Sequence, residues 1–379
     1  MRQAFHKVGS RVRDYYLEIM EMVPTDYNLG MKQRLVRAIA KARRTGVSIL
    51  NYDPKRFTSL VRLEKEPEIN FDELGVYSDP RVIEISDPRN GRNTGHYFQE
   101  RKVYLLKDVI LEPRQGLVFS PNGNLIKEST VWDPYVSHHF FPWNPGKTKV
   151  LDINQNAIFI SSNSYYHWLI EDLATTITAL KYDVNAPILV ANNPPRYVKE
   201  FIATLDREVM YLNGPVQLKS LVLVGKSNDS GWPHPIDIEN ILNYEPFSQV
   251  ISKESPNSKI YASRRASLRS PKNEELVENV FKENGFRIVR LEELSLIDEI
   301  HEISKVKFLA GVHGAGIINL VWMSKGSKVL DIANESYWTE ANHRAARIKQ
   351  LDYRNLIYTG PLLNAIPIVD LRKKLQEFD

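Results

Sequence analysis

At 379 residues the chain exceeds what one hydrophobic core usually serves, so two domains or one large α/β unit are expected. A composition of 42% hydrophobic and 25% charged residues excludes a disordered or collagen-like chain. Cysteine is absent, which excludes disulfides, thiolate zinc sites, iron–sulfur clusters and a cysteine nucleophile, while a formal charge of only +4 gives no reason to expect a nucleic-acid partner.

The charge is unevenly placed. Residues 1–44 hold ten Lys/Arg against Asp14, Glu18, Glu21 and Asp26, a net +6 that leaves −2 for the remainder. Within them Phe5, Val8, Val12, Tyr15, Tyr16, Ile19 and Met22 recur at three- and four-residue spacing, which predicts an amphipathic helix, and a second basic helix is expected over 31–44. Such a pair either lies on an anionic membrane surface or packs, solvated, on the protein body. No apolar run of about 18 residues occurs to span a bilayer. The N-terminus also lacks the apolar stretch of a secretory signal, so a cytoplasmic protein, peripheral at most to the inner face of the membrane, is expected.

From about 76 to 131 short β-branched and aromatic runs alternate with turn residues, and Asn122-Gly123 is a hairpin signal. Beyond the loop HHFFPWNPG the pattern becomes strand 157–161, helix 165–182, strand APILVA, helix PRYVKEFIATL and strands REVMYL and LKSLVLVG, an alternation that builds a parallel sheet. Residues 225–258, rich in Gly, Pro, Ser and Asn around a short helical segment, read as the connection to a second α/β unit. Its strands are KIYAS, FRIVRL, KFLAGV, KVLDIA and RNLIYT, with helices NEELVENVFKENG, SLIDEIHEIS (capped by Ser295), GIINLVWM and YWTEANHRAARIKQL between them. A last helix over 366–377 could cross back onto the first domain. The expected division is a basic helical segment 1–70, an α/β domain 71–235 and a Rossmann-like domain 236–379.

Three constellations suit chemistry. The turn Gly311-Val312-His313-Gly314-Ala315-Gly316 allows close backbone approach and precedes a helix whose N–H groups suit a phosphate, unless the glycines only serve tight packing. Arg264, Arg265, Arg269 and Lys272 follow the first strand of the same unit, where ligands of open parallel sheets sit; the alternative is a solvated basic loop. His167 and Glu171 lie four apart on one helix face just beyond a strand end, either as surface decoration or as a cleft-facing acid–base pair. P-loop, nucleophile-elbow, His-Glu-x-x-His and Asp-x-Asp motifs are absent, and His138 with His139 would face opposite sides of a strand.

The order YYHWLIEDL, YASRRASLR, NGFRIVRLEELSL, GVHGAGIINLVWM resembles glycosyltransferase family 61, from about Tyr97 to Tyr358. The resemblance implies a two-lobed GT-B fold of facing Rossmann-like domains. It further implies inverting transfer from a nucleotide sugar, UDP-linked in the first instance, without an essential metal or other cofactor. A glycan or lipid-linked glycan of a bacterial capsule or lipopolysaccharide would be the acceptor. It places Arg264 and Arg269, with Arg265 as a neighbour, on the donor diphosphate together with His313, Gly314, Ala315, Gly316 and Asn319. It puts the general base at Glu171, with His167 orienting it and Asp172 as a rival. Family members commonly continue with Leu-Pro-Arg after this acid, whereas Ala174 and Thr175 follow Leu173 here. Two other readings remain. In the first, GAGIINLVWM before Asp331 would be a dinucleotide fingerprint of an NAD-dependent oxidoreductase. In the second, a non-catalytic glycan-binding protein would stack sugars on Trp132, Trp143 and Trp232.

Overall fold

The computed structural model describes residues 70–113, 116–121, 126–129, 149–161, 164–225, 231–265, 270–360 and 364–378. The basic segment 1–69, Asn122-Gly123, Trp132, His138, His139, Trp143 and Arg269 lie outside them. The first part of the chain is β-rich as expected: β1 (Phe71–Tyr77), β2 (Val82–Ser86), β3 (Asn93–Tyr97), β4 (Arg101–Glu112), β5 (Leu117–Phe119) and β6 (Lys149–Val150). β2 and β3 form a separate antiparallel hairpin.

β7 (Ala157–Ile160) is apolar on both faces and buried, the signature of an interior parallel strand. It leads into a helix of mixed pitch: α1 (Tyr165–His167), a π-helical turn Trp168–Asp172, and α2 (Leu173–Tyr182). Thr175 and Thr176 hydroxyls donate to the Glu171 and Asp172 carbonyls at 2.8 and 2.7 Å, which serves the carbonyls loosened at the π turn. β8 (Ile188–Ala191), α3 (Arg196–Ile202), β9 (Val209–Leu212) and β10 (Val216–Val224) complete the first sheet. Its order is β1-β4-β10-β7-β8-β9, with β5 on β4 and β6 on β10; β7, β8, β9 and β10 run parallel and β4 is antiparallel to β10.

The helical segment expected within 225–258 is two short helices, α4 (Pro235–Leu242) and α5 (Glu245–Ser248). α4 packs on α2, and its buried Asp237 pairs with the buried Arg101 and accepts from the Tyr77 hydroxyl. The helix therefore belongs with the first sheet, and the boundary expected at 235/236 falls in its first turn. Phe247 of α5, fully buried, touches Trp322, Phe201 and Tyr244.

The second sheet is wholly parallel: β11 (Ser258–Ala262), β12 (Arg287–Val289), β13 (Val306–Val312), β14 (Lys328–Asn334) and β15 (Asp352–Tyr358), in the order β12-β11-β13-β14-β15. Between them lie α6 (Glu274–Glu283), α7 (Leu296–Ser304) and α8 (Ala341–Ile348). The Ser295 hydroxyl caps α7 by accepting from the Asp298 N–H at 3.1 Å, as its sequence predicts. The expected helix after the glycine turn is a six-residue 3-10 helix, Ile317–Trp322, because its run, apolar but for Asn319, is buried throughout and carries no polar face to set an α-helical period. α9 (Ile368–Gln376) stays on its own sheet: Leu371, Leu375 and Phe378 join Phe281, Phe286 and Phe308, so the last helix does not cross back.

One apolar cluster runs through both halves, from Ile158, Trp168, Leu173 and Phe201 through Phe247 to Ile260, Ile300, Leu309 and Trp322. Because Phe247 sits where the two halves meet, Phe247→Ala is expected to cost about 3–5 kcal/mol of stability by chemical denaturation. A residue of a mere tether would cost close to nothing.

Candidate active site

The sheet order makes a switch point between β11 and β13, whose connections leave in opposite directions, and open α/β sheets bind ligands at such a crevice beyond the strand carboxyl ends. A cavity of 510 Å³ lies there. One wall is Ala262 at the end of β11 with Ser263 and Arg264 beyond it, Leu291, Glu292, Leu294 and Leu296 after β12, and Val312 at the end of β13 with Ala315 and Gly316 beyond it; the other is Tyr165, Arg196, Tyr197 and Glu200 from the first half.

The loop after β11 is pinned from α6. Glu274 accepts from the Arg264 N–H at 2.7 Å and from the Tyr261 hydroxyl at 3.1 Å; Glu278 accepts from Ser263 Oγ at 2.7 Å. The Arg264 guanidinium donates to the His313 carbonyl at 2.9 Å, so it stands against the glycine turn as expected. Gly314 has φ +138°, and a Cβ there would lie 2.9 Å from Arg264 Nη2, so the turn needs glycine both for its backbone and for the arginine. Arg265 turns elsewhere and pairs with Glu278 at 2.7 Å, half exposed and outside the cavity wall.

His313 lies at the turn, but its ring does not line the cavity. Its Nδ1 meets Asp331 Oδ2 at 2.7 Å, and the Tyr353 hydroxyl (2.5 Å) and Asn342 Nδ2 (3.2 Å) donate to the same oxygen. Asp331 is fully buried in mid-strand, and His313 and these donors hold its carboxyl below the usual range despite the burial. An acid consumed in this way is not placed for a ribose, which removes the support for a dinucleotide fingerprint. Trp232 is likewise occupied, by the Arg344 guanidinium 4.7 Å over its ring and by His96.

Asn319 borders the cavity, but its amide bonds the Tyr165 hydroxyl (2.8 Å) and Glu299 (2.5 Å), so it ties the walls together before it meets any ligand. Glu299, missed by the motif reading, lines the cavity and is pushed up to about 8 by burial. Its sequence signal was an acid on the apolar stripe Leu296, Ile300, Ile303.

The expected pair His167–Glu171 is real at 3.1 Å, but it is not surface decoration. Glu171 is 3% exposed and accepts the Gly231 N–H, while His167 is 25% exposed; Gly231 (φ +76°) also accepts from the Tyr166 hydroxyl through its carbonyl. Sixty residues of chain separate the carboxylate from that donor, so spacing alone could not reveal the burial. Asp172, 1% exposed, lines a different pocket of 40 Å³ with Ser161, Thr175 and Thr176. The structure thus joins Arg264, Ala315, Gly316 and Asn319 at one cavity and His167 with Glu171 at the start of its facing helix. Asp172, Arg265 and the His313 ring stand apart.

Residues 165–330 match the family model described as Glycosyltransferase 61. The chain carries a glycosyltransferase 61 domain and is a glycosyltransferase. No curated protein matches it. The matched stretch of the transferase begins at Tyr165 and ends in β14, so it contains both walls of the cavity, the His167–Glu171 pair and the glycine turn. Among the described residues of the transferase no group of three His, Asp or Glu side chains is arranged to hold a metal ion, and no helix is long and apolar enough to cross a membrane. Gly314→Ala is expected to lower thermal stability, by about 1–3 kcal/mol, because the added methyl meets a left-handed backbone and the Arg264 guanidinium together. The double variant Gly314→Ala/Arg264→Ala should recover the steric part.

Proposed function

We propose that the transferase moves a sugar from a nucleotide-sugar donor to a glycan hydroxyl in one inverting displacement, with the donor in the 510 Å³ cavity. The observation that carries this reading is the placement of Arg264 on the glycine turn at the carboxyl ends of β11 and β13. A planar guanidinium there suits a diphosphate, and as the leaving group departs it neutralises the charge that develops. The two sheets, with α4 and α5 joining the first, then correspond to the lobes of a GT-B-like enzyme: residues 71 to about 248 on the acceptor side and 258 onward on the donor side. The wall chemistry, apolar at Leu291, Leu294, Leu296 and Tyr197, fits a nucleoside, and a UDP-sugar is the first donor to test.

Inversion needs a base on the acceptor side of the cleft. The exposures favour an exchange of the roles first expected: His167, the more open group, takes the acceptor proton, while buried Glu171 holds its Nδ1 and steadies the imidazolium that forms. A glycan or lipid-linked glycan of a bacterial surface polysaccharide, met at the inner face of the membrane through the basic residues 1–44, is the acceptor this reading proposes.

Calorimetric titration with UDP, GDP, CMP and NAD, each with and without EDTA, tests the donor site. Wild type should bind one nucleoside diphosphate regardless of EDTA, and Arg264→Ala should bind it about tenfold or more weakly. Binding of NAD alone would sink the transferase site as drawn. His167→Ala should lose about 10²–10⁴ in kcat with nucleotide affinity kept, and Glu171→Gln should lose less. Equal turnover of His167→Ala and wild type would remove the base from His167.

A further inference from the structure

The ring of Tyr165, Asn319 and Glu299 closes across the cavity, and its proton count is informative. The Tyr165 hydroxyl lies 2.8 Å from Asn319 Oδ1 and 3.2 Å from Glu299 Oε2, while Asn319 Nδ2 lies 2.5 Å from Glu299 Oε1. A phenol has one proton to give. With Glu299 ionised, the hydroxyl serves one acceptor and the remaining oxygen–oxygen contact has no hydrogen in it. With Glu299 neutral, the circuit closes: the carboxyl donates to the Tyr165 oxygen, Tyr165 donates to Asn319, and Asn319 donates to Glu299. Turning the Asn319 amide over only reverses the circuit and still demands the acid proton. The carboxyl is 7% exposed, and burial favours the same neutral form.

The surrounding charges leave that preference in place. Arg196 and Glu200 face Glu299 from α3, paired with each other at 3.2 Å; Tyr165 and Tyr197 stand beside them, Arg264 lies across the cavity, and the 3-10 helix Ile317–Trp322 brings no charge. The ring spans the halves. Tyr165 opens the helix that carries His167 and Glu171, whereas Glu299 and Asn319 belong to the second sheet's layers.

We propose that Glu299 is a positioning residue which, as the neutral acid, completes this ring and fixes the His167–Glu171 helix against the donor half of the cleft. The assignment rests on the transferase reading only for its effect on turnover. Glutamine reproduces the donor and acceptor of the neutral acid, and alanine reproduces neither.

The test compares wild type, Glu299→Gln, Glu299→Ala and Tyr165→Phe in the full chain. In a carboxyl-carbon NMR titration of labelled glutamate, wild type should show a resonance that titrates near pH 8 and is missing in Glu299→Gln. A midpoint near the ordinary 4.5 overturns the proposal, whether or not turnover is seen. The raised folded-state value means that its stabilisation is complete below about 4.5 and is lost as pH rises toward about 8. The melting temperature of Glu299→Gln should therefore gain on that of wild type through this window, and parallel curves overturn the proposal. In turnover, Glu299→Gln should keep activity within about threefold of wild type and lose the alkaline decline, while Glu299→Ala and Tyr165→Phe fall about tenfold or more in kcat/KM. A Glu299→Gln loss as deep as that of Glu299→Ala would mean that the charge is needed and the ring is wrong.

Discussion

Everything about the cleft depends on one packing constraint: the helix that leaves β7 is buried on nearly every side. From Trp168 to Leu180 each side chain is enclosed, by β7 and β10 of its own sheet and by α4, in the apolar cluster that also holds Phe247 and Ile317. Such a helix cannot rotate or slide without opening the core shared by both halves, at a cost of several large side chains. Its first turn is therefore held with Tyr165 against the cavity at the carboxyl ends of β11 and β13, whereas His167 and Glu171 on the same helix do not line that cavity. The π turn adjusts the pitch at this point, so Glu171 meets the Gly231 N–H while Asp172 turns to a separate pocket.

The sheets and their order of elements were legible because parallel strands buried on both faces read as plain β-branched runs, and each such run is a strand here. Pitch was not legible. GIINLVWM is apolar but for Asn319, so no period distinguishes an α-helix from the 3-10 helix found, and the segment YYHWLIEDL has a period that an inserted π turn breaks. Within 225–258 the sequence showed a helical segment among turn residues, but not that its Ile238, Ile241 and Phe247 are core.

The site was legible in its residue types more than in their roles. Arg264 and the glycine turn meet because a parallel sheet brings consecutive strand ends to one edge, a rule that needs no coordinates. Which arginine of the adjacent pair enters the cavity depends on α6, where Glu278 draws Arg265 away and Glu274 holds the Arg264 backbone. Likewise the contact of His167 with Glu171 could be read from their four-residue spacing. Which partner is buried was decided by Gly231, a loop residue of the same half with no motif of its own.

Charge at the cavity gives the last step. Two arginines and three glutamates line it, which at face value would repel a diphosphate. The arrangement removes that repulsion in stages. Arg196 and Glu200 cancel each other at 3.2 Å while binding the Leu294 carbonyl and the Leu296 N–H, so their charges hold the β12 loop and add no net field. Glu292 is exposed, and water screens it. Glu299 is neutral when its ring is closed. What a ligand then meets at the glycine turn is Arg264, positively charged at every accessible pH. Raising the pH through the Glu299 transition would add a negative charge to the same cavity just as it opens the ring that holds Tyr165. On the proposed transferase reading, donor affinity and the placement of the base would therefore weaken together through a residue that acts only by way of its ring and its charge.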